Sequence, residues 1–520
     1  MMATTGRRTG APRGGRSREA GTADSGRSQV LIVAPSPAEA ALLMAEAGGA
    51  VSVAALCLTG GDAEGRSAFA RAAAEAGHQG ARADDEASIL PSGADAASAV
   101  LAEIRALGPG RVLTTGADQG PGDPDGSHEA AALAVFRAVE AYHRETGRPV
   151  FVDCRTPGPH SPAGSGAGPR YRLPSNWLVR GNDGRLSAYL PTAGAVLRWT
   201  EGAGGGWSGP ELLDAPGLLP GLTVAQGPDG YVRLVGLRRT ERGDGTVATE
   251  IVCATQYQTG RPLTPWHELG NPHRAEPERG RFVGLPVAAF DDDGTLHVFV
   301  RNDEHTVNTR HQRDDGVWSP WRHLRGTKTA DEMVAMRAPD GTAELFVRLR
   351  DISGVARWSR TAKNTWAEDP SPENVHAYPG TLAAAPEVGA LRCTYAGTGE
   401  LCQWQWGAYG PAALHGPDVA ARVAGVTGID LDGWLCTVLA STDRRGCCLV
   451  GFHVEGRHDA GVWWTATDQW CLVPPAVAPD RHGRVTVVTL DASARLTATR
   501  RAEDERGLVL EPWSQAGPRS

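Results

Sequence analysis

The pattern of hydrophobic and polar positions changes once along the chain. Up to about residue 155 apolar residues come in continuous runs separated by Ala-rich stretches, and beyond about residue 176 they come in short alternating runs. In the first region VLIVA (Val30–Ala34) suits a buried parallel strand, and Pro37–Ala47 is rich in strong helix formers. Val51–Leu58 predicts a second strand, Arg66–Ala76 and Ala97–Ala106 helices, Arg111–Thr115 a strand, His128–Thr146 a long helix and Pro149–Asp153 a further strand. Strands alternating with helices predict a Rossmann-like, three-layer α/β domain around a mostly parallel sheet. In such a sheet the site lies beyond the carboxyl ends of the strands, here Ala34–Glu39, Thr59–Asp62 and Thr115–His128.

In the second region the unit Val283–Gly326 sets the pattern. Val287–Phe290 is a short apolar strand, Asp293-Gly294 a turn, and Leu296, Val298 and Val300 alternate with His297, Phe299 and Arg301 as in a half-buried strand. A third strand runs through Val307–Arg310, and an aromatic edge ends at Trp321. The same turn pair recurs at Asp183-Gly184, Asp229-Gly230, Asp340-Gly341 and Asp432-Gly433, with His482-Gly483 in a late copy. The steps between successive pairs are 46, 64, 47 and 92 residues. The last spans two units, so a copy with a degenerate turn at Val388-Gly389 fills the gap, and the blade after Asp229 carries an insertion around Arg238–Thr249. A period of about 45 residues with four strands is that of a β-propeller, here of seven blades.

Composition sharpens the boundary. All 15 tryptophans lie at Trp177 or later, so the two regions have different cores. Residues 1–28, almost without apolar side chains, predict a disordered tail, and 156–175, rich in Pro, Gly and Ser, a linker; 29–155 and 176–520 are then the two domains. A net charge of −8 argues against a nucleic-acid partner. Nine scattered cysteines indicate buried thiols rather than a disulfide framework or a zinc ribbon. Arg7-Arg8 lacks the apolar stretch of an export signal and no run is long enough to span a membrane, so a cytoplasmic location is the default expectation.

The order strand, A-P-x-P-x-x-x-A-L, second strand with T-G-G, Arg-led helix, then an Asp/Gly-rich loop before a helix resembles the PIG-L-type (LmbE-like) N-acetylglucosaminyl deacetylases over residues 29–155. That resemblance implies a zinc site. In the family the first strand ends in A-H-P-D-D-E-A-L, whose His and second Asp bind the metal and whose first Asp is the general base; a second loop gives the last ligand. Zinc lowers the pKa of its bound water, and the neighbouring carboxylate takes the proton. Here Ser36 stands at the first ligand, Ala38 at the base and Glu39 at the second ligand. In the second loop His128 holds the ligand place when matched by the helix start; matched at Pro124, Asp123 and Asp125 fill the catalytic positions. The remnant ligands implied are therefore Glu39 and His128, with Asp123 and Asp125 catalytic if the site is active. A methyl group cannot accept a proton, so the expectation is no resident cofactor and no turnover; a rebuilt zinc site is the alternative.

Residues 176–515 resemble the repeats of tryptophan-rich bacterial propeller lectins, FDDDGTLHVFVRNDE…VWSPWRHLRG being the closest copy, and the two-part arrangement resembles actinobacterial proteins. The resemblance implies carbohydrate or glycoconjugate as partner, a protein partner being the alternative. Trp199, Trp207, Trp266, Trp318, Trp358, Trp366 and Trp463 recur at equivalent places and are expected mostly to pack between blades. Arg180, Arg301 and Arg348, with Trp318 and Trp321, are the candidates for sugar contacts; bonds from blade to blade are the competing role for the arginines.

Overall fold

The computed structural model describes residues 29–517 apart from 45–46, 48–51, 79–81, 84–85, 92, 117–125, 157–167, 170, 242–246, 260, 314–315, 362–364, 370–374, 416–418, 420–422, 444, 458–459 and 504. The tail 1–28 and most of the expected linker lie outside the described residues.

The N-terminal strands are β1 (Gln29–Ala34), β2 (Ser52–Cys57), β3 (Arg82–Ala83), β4 (Ser88–Ile89), β5 (Arg111–Thr115), β6 (Phe151–Thr156) and β7 (Gly168–Pro169). They form one sheet in the order β3-β2-β1-β5-β6-β7, with β4 also on β2. Every pairing except β6–β7 is parallel. The helices α1 (Pro37–Met44), α2 (Ala63–His78), α3 (Ala96–Leu107) and α4 (Ser127–Thr146) cover both faces. Alternation along β1 assigns them: Leu31 and Val33 pack with Val100, Ile104 and Val135 of α3 and α4, whereas Val30 and Ile32 pack with Leu43 and Phe69 of α1 and α2. The expected three-layer domain is thus present, with β3, β4 and β7 as additions too short to show a period.

Seven four-stranded antiparallel sheets follow, spanning 178–214, 218–270, 287–324, 329–368, 383–413, 424–470 and 476–515 as blades 1 to 7. The unit around Asp293 has strands Val287–Phe290, Leu296–Arg301, Val307–His311 and Arg322–Leu324, so its last strand begins just after the aromatics that were expected to end it. All six residues of Leu296–Arg301 are buried, not alternate ones. A blade inside a ring is covered by a neighbour on each face, which removes the solvent side that alternation implies. The first-to-second-strand turns use the residues expected, Gly184, Gly230, Gly294, Gly341, Gly389, Gly433 and Gly483 all having positive φ. The insertion in blade 2 is shared between a long hairpin, Val232–Glu241 against Val247–Thr255, and a segment before blade 3 carrying the short helix Pro277–Gly280.

The ring closes without exchange of a strand. Asn176 donates to Val477 O at 2.8 Å and accepts from Val477 N, and the Trp177 indole donates to Pro474 O at 2.9 Å. The α/β domain sits on the ring face that carries the second-to-third-strand turns. Glu129 on α4 pairs with Arg239 of blade 2 at 3.1 Å and with Arg281, ahead of blade 3, at 3.2 Å. Three turns along α4, Glu140 accepts from Gly217 N at 3.3 Å, and Thr192 of blade 1 donates to Val150 O at 2.6 Å. Tyr171 stacks edge-on against Phe136 of α4, and Arg172 reaches Glu332 of blade 4 at 3.1 Å. The end of the expected linker is therefore packed against both bodies.

Candidate functional site

In the α/β domain the chain leaves β1 toward β2 on one side and leaves the neighbouring β5 toward β6 on the other, and α1 and α4 start on opposite faces of that point. The crevice so formed at the strand ends is the usual ligand position of such sheets. It brings together three of the residues expected there. Ser36 Oγ donates to the Glu39 carboxylate and accepts from Ala38 N at 3.3 Å. His128 Nε2, in the first turn of α4, lies 3.8 Å from Glu39 Oε1. The neighbouring His128 holds the Glu39 carboxyl below its ordinary range against partial burial, with Ser36 adding to it. Cys57, fully buried at the end of β2, is pushed up to about 12 by burial and by the nearby Glu39 charge, so it stays a thiol.

Glu39 and His128 are two protein donors, where a catalytic zinc takes three. Among the described residues no group of three or more His, Cys, Asp or Glu is placed to hold a metal. Asp123 and Asp125 lie outside the described residues. Ser36 spends its proton on Glu39, and Ala38, exposed beside it, has nothing to give. The described residues alone do not complete a zinc site.

In the propeller the three candidate arginines part company. Arg301 and Arg348 are equivalent, each seven residues beyond its turn glycine, whereas Arg180 ends the first strand of blade 1 and is exposed. Arg301 pairs with Asp331 of the next blade and donates to Phe282 O at 2.9 Å. Arg348 pairs with Glu332 at 3.1 Å, and the same carboxylate accepts Gly380 N and Leu382 N of the connection into blade 5. Arg301 holds blade 3 to blade 4, whereas Arg348 stays within blade 4 on the carboxylate that reaches the connection into blade 5. Trp318 and Trp321 each lie 5.4 Å from the Arg310 guanidinium, which donates to Leu269 O of blade 2; Trp321 donates to the same carbonyl at 3.1 Å. They fasten blade 3 to blade 2. Trp199 and Trp358 are fully buried and Trp207 nearly so; Trp266, Trp318 and Trp366 are half-buried, and Trp463 is exposed.

What sequence reasoning missed is the opposite face of the ring. There the turn glycines and the third-to-fourth-strand connections present Trp406 (44 % exposed), Tyr409 (91 %), Trp434 (65 %) and Trp463 (49 %), all in blades 5 and 6. Trp406 has polar company. Its indole N–H points to Glu344 Oε1 at 3.4 Å and the Arg357 guanidinium lies 5.8 Å from its ring, itself paired with Asp369 at 2.6 Å. Glu344 is three residues beyond its turn glycine, as are His297 and Arg392, and all three are buried. Each faces the next blade: His297 meets Trp366, Glu344 meets Trp406, and Arg392 pairs with Glu387, which pairs with His453 of blade 6. A charged residue at one fixed place in an otherwise apolar strand was the available signal.

No protein-family model matches the chain, and no curated protein matches it. Solved structures do. The chain is similar to the BP39L lectin from Burkholderia pseudomallei, at 13 % identity over 65 % of this chain and 99 % of that one, with a TM-score of 0.49. It is similar to the intramolecular trans-sialidase from Ruminococcus gnavus, at 10 % identity over 67 % of this chain and 95 % of that one, with a TM-score of 0.36. It is also similar to the SapL1 lectin, solved in complex with alpha methyl fucoside, at 12 % identity over 66 % and 96 %, with a TM-score of 0.33. The likeness is to the ring, and the seven blades stand on their own strand pairings.

Proposed function

We propose that the protein associates with carbohydrate through the free face of its propeller, and that its α/β domain, deacetylase-like in layout, does not turn substrate over. The observation that supports binding is the cluster where blades 4 and 5 meet: a half-exposed indole, Trp406, with Arg357, Asp369 and Glu344 beside it. An aromatic face covers the apolar C–H patch of a sugar ring, and fixed charged groups at its edge bond the hydroxyls. Trp434 and Trp463 in blade 6 extend the aromatic surface. Absence of turnover rests on Ala38 at the position of the base.

The test is glycan-array binding by the full chain. Trp406→Ala and Arg357→Ala should each lower the signal roughly tenfold, the worth of one stacking or charged contact. If no glycan binds, or both variants bind as wild type, this reading is wrong and a protein partner takes its place. A second reading, a metal-dependent N-deacetylase with a rebuilt site, draws on the 3.8 Å approach of His128 to Glu39. Acetate release from N-acetylglucosamine substrates together with bound zinc would establish it.

A further inference from the structure

Blade 5 holds its first turn differently from the other blades. In blades 1, 2, 3, 4, 6 and 7 a turn carboxylate, from Asp183, Asp229, Asp291, Asp340, Asp430 and Asp480, accepts a backbone N–H of its own turn at 2.8–3.1 Å. Such a bond keeps a turn in shape without outside help. Blade 5 has Val388 before its turn glycine, a side chain that accepts nothing, and its acid stands one place earlier. The Glu387 carboxylate turns into the ring. Arg392 Nη2 lies 3.1 Å from it, and His453 Nε2, on the third strand of blade 6, lies 3.2 Å from it. Arg392 and His453 are fully buried. The turn is therefore held from the next blade.

Trp406 hangs on this turn. Its backbone N–H donates to Gly389 O at 2.9 Å, and the neighbouring Gln405 side chain donates to Val388 O at 3.1 Å. A Cβ at Gly389 would lie 3.1 Å from Trp406 Cβ and 2.7 Å from Pro339 of blade 4, so the turn and the stem of the indole are in close contact. The contact of the indole N–H with Glu344, at 3.4 Å, is long for a hydrogen bond. The turn, more than that bond, decides where the ring stands.

We propose that blade 6 positions the indole of blade 5: His453, acting through Glu387 and the Val388-Gly389 turn, sets the place of Trp406 where blades 4 and 5 meet. Glu387 and His453 are positioning residues, acting on Trp406 through the backbone of the turn. Loss of His453 releases Glu387, the turn relaxes, and the ring shifts with it. The consequence for binding rests on the proposed carbohydrate association; the place of the ring does not.

The experiment is fluorine NMR of the full chain labelled with fluorotryptophan, the Trp406 signal being assigned by its absence in Trp406→Phe. His453→Leu and, separately, Glu387→Gln should each move that signal. His453→Gln, which keeps a side-chain N–H for Glu387, should return it toward the wild-type position. In these variants Trp266 and Trp318, half-buried in blades 2 and 3 and assigned in the same way, should keep their places. Asp229→Ala is the control, because it weakens a turn that holds itself and should leave Trp406 unmoved. An unmoved Trp406 signal in both His453→Leu and Glu387→Gln would overturn the proposal. So would an equal displacement of Trp266 and Trp318, which marks general loosening. Glu387→Gln keeps the shape of the side chain, so a folding defect of His453→Leu does not decide the matter. On a glycan array His453→Leu should lower binding roughly tenfold, as Trp406→Ala does. With the signal moved, an array on which wild type binds nothing, or His453→Leu binds as wild type, supports the positioning and counts against the carbohydrate contact alone.

Discussion

Arg172 Nη2 lies 3.1 Å from Glu332 Oε2, joining the segment between the two bodies to the first strand of blade 4. Glu332 is 1 % exposed and also receives Arg348 and two backbone N–H groups. Four donors satisfy one carboxylate that could not otherwise be buried.

Glu332→Ala should therefore cost about 3–5 kcal/mol, the usual penalty for stranding a buried charge partner. Arg172→Ala should cost about 1–3 kcal/mol, since Arg348 remains. Thermal unfolding of the full chain measures both. Equal, small losses for the two variants would mean that the carboxylate is not the junction described.

Stability should fall between about pH 6.5 and pH 4. His143, at the end of α4, accepts the Val150 N–H at 3.0 Å, and burial holds its imidazole down to about 4. A folded-state pKa below the unfolded value means that the unfolded chain takes the proton first, so stability is lost as pH drops through that window, by about 3 kcal/mol in all. Lower down, burial raises and Arg155 and Arg111 depress the Asp153 carboxyl, to about 2, and burial against His453 and Arg392 leaves Glu387 at about 2. Those two should remove further stability between about pH 4.5 and pH 2. Urea titrations at stepped pH give the curve, and His143→Gln should flatten its upper part alone.

A protease site engineered at residues 162–164 should yield two fragments that elute together, because Glu129, Glu140, Thr192 and Tyr171 bridge the bodies. High salt should part them more readily in Arg281→Ala than in wild type. Fragments that separate at once in low salt would show these contacts to be too weak to matter.

Metal binding should be restored by Ser36→His, Ala38→Asp and Glu39→Asp together, since three ligands, His128 among them, would then converge at about 2.0–2.2 Å from zinc. Titration of zinc into the triple variant and into wild type is the measurement. A folded variant that takes up no more zinc than wild type would show the alignment of the two loops to be mistaken.

The parts of the fold that were legible are those with a period or an obligatory residue. Val30–Ala34 announced a buried strand, and five Asp-Gly turns with His482-Gly483 and Val388-Gly389 announced seven hairpins, because a continuous apolar run and a positive φ each admit few residue types. The depth of Leu296–Arg301 was misjudged for a reason equally physical, since alternation reports polarity and His297 and Arg301 are polar yet buried among partners from the next blade. Arg180, like Arg301 and Arg348, follows a short apolar run and so reads as a second-strand position, though it ends a first strand and they occupy a second. Trp406 and Trp434 carried no sign of their exposure. Packing and stacking both select an indole, and the ring face that remains open is settled by where the α/β domain sits.

Closure by Asn176 and Trp177 on blade 7 has a consequence in time. Those bonds join residues 301 and 297 positions apart, so the ring is finished only after blade 7 has been made. The α/β sheet, complete except for β7 by Thr156, precedes it by hundreds of residues of synthesis. Blades 2 and 3 then emerge beside a surface already carrying Glu129 and Glu140, which gives the growing arc a template and a starting angle. A ribosome-bound chain stopped after blade 6 would display an open crescent, its two raw ends the uncovered sheet faces of blades 1 and 6, awaiting one last wedge.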